Sequence, residues 1–172
     1  MQLQLVSDVN LLFDDPDTDP YGDDFNDEIQ EVLTDSIGEV NYDLGHLFDF
    51  GVPDGNAGSV GNVCRDGFKG SAYTSHPFVD TTEIGAFLND YFDIDFVAHE
   101  IGHQFGGYHT FSFETGVAGV NSEPGSGSTI MAYAGVTAED NVQNHSDAYF
   151  HYYSIKNIQD YLAGNSCQVS TP

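Results

Sequence analysis

His99 and His103 stand four residues apart in His99-Glu100-Ile101-Gly102-His103-Gln104-Phe105-Gly106-Gly107-Tyr108-His109. On a helix that spacing places both imidazoles on one face, within reach of a single cation. Glu100 follows the first of them, so its carboxylate falls beside such a cation and not on it, where it can accept a proton from an activated water. Gly106 allows the backbone to leave the helix through a left-handed turn that residues with a Cβ avoid, and the redirected chain can return His109 to the same ion. Three neutral imidazoles and one open position describe a catalytic zinc site.

These ligands need a helix and a framework beneath it. Asp95 is placed to cap the helix that carries His99 and His103, with Phe96 and Phe105 directed to the core. Farther upstream, Asn26 is predicted to cap a helix with Asp27 and Glu28 in its first turn, a buried stripe of Ile29, Val32, Leu33 and Ile37, and an end at Gly38. Such a helix should pack on a sheet. Gln2 to Val6 alternates polar and apolar residues and reads as one strand, and Asn41 to Phe48 as a second. Gly51, Gly55, Gly58 and Gly61 mark a long irregular loop. Lys69 to Ser75 is short and polar, which suits an edge strand. A last helix, capped by Ser154 and carrying Ile155, Ile158 and Leu162, is expected to end before Gly164.

Composition narrows the function classes. The 172 residues, 40% of them hydrophobic, suffice for one domain. Twenty-eight acidic residues against three basic ones (Arg65, Lys69 and Lys156) give a net charge of -25, which argues against nucleic acid or an anionic membrane as partner. No apolar run approaches the roughly 20 residues of a membrane span. Met1 to Asp8 has neither the basic start nor the apolar stretch of an export signal. Asp15, Asp17 and Asp19 mimic the start of a calcium loop, but Pro20 and Asn26 stand where that loop needs Gly and Glu, so a solvated turn is the expectation and Ca²⁺ is weakly supported. Cys64 and Cys167 lack the close spacing of a thiolate metal site; in a secreted chain a disulfide between them is expected. His46, His76, His145 and His151 have no partner at ligand spacing.

The eleven-residue pattern resembles the zinc signature of the metzincin metallopeptidases, which also have a methionine in a tight turn downstream. Met131 lies in Ser128-Thr129-Ile130-Met131-Ala132-Tyr133. With Ile94-Asp95-Phe96-Val97-Ala98 before the signature and Glu123-Pro124-Gly125-Ser126-Gly127 before the turn, the chain is similar to the bacterial secreted reprolysin-like branch, from about Leu3 to Cys167. The resemblance implies an α/β metzincin-type catalytic domain with a mixed twisted sheet, and a zinc endopeptidase with Glu100 as general base, acting on a peptide or protein outside the cell. It implies that Met131 packs beneath His99, His103 and His109, and that Tyr133 stands where some branches place a tyrosine able to approach zinc. Gly70, Ser71, Ala72 and Tyr73 would bind extended substrate by strand addition, and Asn144 to Tyr153 would wall the pocket beyond the cleaved bond. Family members begin with a further strand and helix ahead of Leu3, so the expected domain lacks its first two elements. A zinc-loaded module that holds peptide without cutting it is the rival from another functional class.

Overall fold

The computed structural model describes residues 11–15, 17–76, 90–113 and 119–167. The strand expected at Gln2 to Val6 lies outside them. The first helix, α1, spans Phe25–Ser36. Its cap is Asp24, whose side chain accepts from the Asp27 amide, and not Asn26. Asn26 instead crosses to the sheet, where its Nδ2 donates to the Asn56 carbonyl at 3.1 Å and the Ser71 carbonyl at 2.5 Å. That longer-range use of an amide side chain is invisible to a local capping rule. Ile29 and Leu33 form the buried stripe with Tyr42, and Leu11, Tyr21, Ile37 and Leu47 pack around them. The helix ends at Gly38, whose amide closes on the Leu33 carbonyl at 3.1 Å.

Among the described residues three short strands follow: β1 (His46–Asp49), β2 (Asp54–Asn56) and β3 (Ala72–Ser75). β1 is shorter than expected because Glu39–Asn41 forms a 3-10 turn and the Asn41 side chain donates back to the Ile37 carbonyl at 2.7 Å. The sheet order is β1-β3-β2. β3 runs parallel to β1, with Ala72 opposite His46, and antiparallel to β2, with Thr74 opposite Gly55. This corrects the assignment of Gly70, Ser71, Ala72 and Tyr73 to an edge: among the described residues β3 is the central strand, and β1 and β2, the latter inside the expected loop, flank it. The polar residues of β3 read as a solvent-facing edge, yet their hydroxyls are satisfied inside the sheet. Thr74 Oγ1 meets His46 Nε2 at 3.1 Å and Ser75 Oγ donates to Asp49 at 2.5 Å.

α1 packs on one face of this sheet. On the other face lie π-helical turns at Phe92–Val97 running into α2, Ala98–Gln104. The last helix, α3, spans Tyr152–Ala163. Its cap is His151, which accepts from the Tyr153 amide, whereas Ser154 sits fully buried within the first turn. Cys64 and Cys167 are bridged across a Cα–Cα distance of 5.8 Å, which ties the chain just beyond α3 to the segment between β2 and β3. Asp15 and Asp19 accept from the Asp17 and Tyr21 amides, the local bonding of a solvated acidic turn. Among the described residues no helix is long and apolar enough to cross a membrane.

The bridge spans a sequence separation of 103, and constraining so long a loop in the unfolded chain is worth roughly 4–5 kcal/mol in the chain-entropy account. Reduction should therefore move the urea midpoint down by a large fraction of the total stability. An unchanged midpoint in reductant would mean that the unfolded chain gains no freedom from the break.

Candidate metal centre

α2 is only seven residues long, too short to persist by propensity alone, so its surroundings must hold it. Its entry is set by Asp95. The side chain does not cap the helix; it reaches across to the segment after the methionine turn, with Oδ2 2.8 Å from His145 Nδ1 and Oδ1 accepting from the Ser146 amide at 2.7 Å. The Tyr91 ring stacks on His145 at 3.4 Å. The helix is joined to the sheet by Gln104, fully buried, which donates to the Gly45 carbonyl at 3.0 Å and accepts from His46 Nδ1 at 3.2 Å.

The exit of α2 is held from outside. The amides of Gly61, Asn62 and Val63 donate to the carbonyls of His103 and Gln104 at 2.8–3.1 Å, satisfying groups a helix end leaves open. Gly106 adopts φ 93° and packs so closely on Tyr161 of α3 that an added Cβ would lie 2.6 Å from the tyrosine Cβ. Tyr161 also donates to the Val63 carbonyl at 2.9 Å. The turn then delivers His109, which pairs with Gly119 in a single bridge.

The Nε2 atoms of His99, His103 and His109 converge: 99 to 109 is 3.2 Å, 99 to 103 is 3.1 Å and 103 to 109 is 2.9 Å. These are not hydrogen bonds among the rings. His99 Nδ1 donates to the Ile130 carbonyl at 2.6 Å and His103 Nδ1 to the Gly107 carbonyl at 2.7 Å, so in the neutral rings both Nε2 atoms carry bare lone pairs. Lone pairs aimed at one point fit a cation. Zinc bonds of about 2.0–2.1 Å in tetrahedral geometry separate ligand nitrogens by roughly 3.3 Å, close to the spacing here. The three side chains are the group able to hold a metal ion among the described residues.

Electrostatics keeps these rings uncharged. Burial, followed by the mutual effect of the neighbouring imidazoles, holds His99 well below its ordinary value and His109 at about 3, and burial lowers His103. Glu100 is raised to about 8, first by burial and then by the charge of Asp54, with the Ala57 amide acting in the opposite direction. The carboxylate lies against β2, where a Cβ on Gly55 would come within 2.8 Å of it.

Met131 is fully buried, and a Cβ on Gly102 would sit 2.3 Å from its sulfur; the glycine between the two helical histidines lets the thioether press against the helix backbone. Phe150, at 3.0 Å from that same Cβ position, brings the 144–153 segment to the helix. Tyr133 packs on the site, its ring 4.6 Å from His109 and 5.6 Å from His99. Sequence reasoning missed Tyr161, Gln104 and the Asp95–His145 pair, all of which position the site through long-range contacts.

Residues 1–162 match the family described as Metallo-peptidase family M12B Reprolysin-like, so the chain belongs to that family. It is a metallopeptidase with a mixed α/β fold, and a histidine cluster that fits the zinc this family uses. No curated protein and no solved structure matches it.

The shift of Glu100 gives a signed prediction for zinc-free protein. A carboxyl that rises from 4.5 to about 8 on folding binds protons more tightly in the folded state, so its contribution is intact below pH 4.5 and is lost as pH rises through 8. With chelator present, Glu100→Gln should be more stable than the parent at pH 8 by on the order of 2–4 kcal/mol, and the two should converge near pH 4. Equal unfolding midpoints at pH 8 would show that Glu100 is not desolvated.

Proposed function

We propose that this protein is a zinc-dependent endopeptidase, one domain over residues 1–172, in which His99, His103 and His109 hold the metal and Glu100 is the general base. The observation that carries this reading is the convergence of three Nε2 atoms within 3.2 Å while Ile130 and Gly107 occupy the opposite ring nitrogens of two of them. Bound there, zinc would polarise a scissile carbonyl and acidify a water. The chain's own groups do the rest. The three imidazoles stay neutral, as ligands must. Glu100, beside the cluster and outside it, would be ionised by a cation held there, and as a carboxylate accepts the proton of the attacking water and returns it to the departing amine. Tyr133, whose ring packs on His109 and His99, assists the developing oxyanion.

Substrate adds to the sheet at β2. That strand is one of the two edges of the sheet among the described residues, and its Gly55 lies against the Glu100 carboxylate, so a peptide lying along it runs past the base. Backbone pairing of this kind recognises an extended chain with little regard to side chains. The disulfide supports an oxidising, extracellular setting.

Glu100→Ala should keep one zinc per chain and the parent's circular dichroism while peptide cleavage falls by about 10² to 10⁴, the range general-base assistance supplies. His109→Ala should lose most of the zinc, and Tyr133→Phe should lower turnover less than Glu100→Ala. A peptide library read by mass spectrometry decides the matter. Zinc-loaded parent that retains peptides but cuts none would favour a binding module.

A further inference from the structure

We infer that Glu123 is a positioning residue for the metal centre: its carboxylate holds the methionine turn while its main-chain amide holds the segment that follows His109, and so it sets the carbonyl that orients His99. The inference rests on the zinc reading above. Glu123 is a buried carboxylate, 7% exposed, and forms no ion pair among the described residues. What compensates its burial is a set of directed donors. Oε1 accepts from the amides of Ser128 at 2.9 Å and Thr129 at 3.1 Å, and Oε2 from the Thr129 hydroxyl at 2.5 Å. Burial alone would push the carboxyl up, but the hydroxyls of Thr110 and Thr129, followed by the Ser128 and Thr129 amides, offset it and hold the group below its ordinary value. Glu123 is therefore charged at neutral pH.

Both ends of this knot lead to the ligands. On one side, Ser128 and Thr129 immediately precede Ile130, whose carbonyl accepts from His99 Nδ1 at 2.6 Å, and Met131 beneath the helix. On the other, the Glu123 amide donates to the Thr110 carbonyl at 2.8 Å, and the Thr110 amide donates to the Met131 carbonyl at 3.0 Å. Thr110 adjoins His109. One residue thus fixes, by its side chain and its amide, the relative placement of the turn and the third-ligand segment, elements with no regular secondary structure of their own. Groups that orient metal-bound histidines from behind typically change metal affinity by about 10- to 100-fold when removed.

The test measures zinc affinity by competition with a chromophoric chelator, at a temperature where circular dichroism shows every variant folded. Glu123→Ala should weaken zinc roughly 10- to 100-fold. Thr129→Val, a near-isosteric loss of one hydroxyl, should weaken it by less, and Thr129→Ser, which keeps the donor, should restore the parent value. Leu33→Ala, a cavity in the distant core under α1, serves as the control: it should lower the melting temperature and leave zinc affinity unchanged. Where Glu123→Ala does not fold, the Thr129 pair decides alone. Parent-like affinity in both Glu123→Ala and Thr129→Val, or an equal loss in Leu33→Ala, would overturn the positioning role while leaving the zinc site intact. A parent that binds no zinc would overturn the zinc reading and this inference together.

Discussion

Two backbone carbonyls decide what the three histidines are. Ile130 and Gly107 each take the Nδ1 proton of one imidazole, and that choice leaves Nε2 without a hydrogen and pointed inward. Were those carbonyls moved, either ring could turn or change tautomer, and the cluster would become an ordinary hydrogen-bonded group. The arrangement has a cost, since it holds three desolvated lone pairs about 3 Å from one another. It persists because the helix, its exit turn and the methionine turn are each held by contacts that do not involve the rings.

Those contacts come from far along the chain. Gln104 joins the helix to β1, Asp95 joins its entry to His145 and Ser146, and Tyr161 closes its exit. The last is notable in its construction. α3 reaches the site through a tyrosine ring packed on Gly106 and on Gly61, and the Cys64–Cys167 bridge fastens the chain beyond α3 to the segment whose amides cap α2. The covalent tie from beyond α3 thus adds to the restraint that Gln104 and the sheet place on a seven-residue helix.

What was legible in the sequence was whatever local spacing dictates. The His99–His103 pair, the adjacent Glu100, the turn at Gly106, the stripe of α1 and the end of α3 before Gly164 all follow from helical period or from a glycine's freedom of φ. What was not legible depends on partners distant in the chain. β2 contains Asp54, Gly55 and Asn56, residues that disfavour strands on their own, and becomes a strand only because β3 lies beside it. β3 in turn looks like an edge because its hydroxyls pair with His46 and Asp49, not with water. Asp95 and Asn26 both have the right type for a helix cap, but each finds a better partner across the fold, at sequence separations of 50 for Asp95–His145 and 45 for Asn26–Ser71. Glu123 was hidden in another way: among 28 acidic residues, one buried carboxylate cannot be told from solvated ones without its donors.

That surplus of acid bears on metal choice. A chain with a net charge of -25 concentrates cations of every kind around itself, so attraction alone cannot select one. Exposed carboxylates offer oxygen, which suits calcium and magnesium, but in the turn the Asp15 and Asp19 side chains accept from backbone amides two residues on. The buried cluster offers nitrogen only. Three uncharged imidazoles give little to a hard cation that prefers oxygen and demands six or more ligands, and match a borderline ion content with four. Long-range charge raises the local supply of cations, and donor chemistry at His99, His103 and His109 decides which of them is retained.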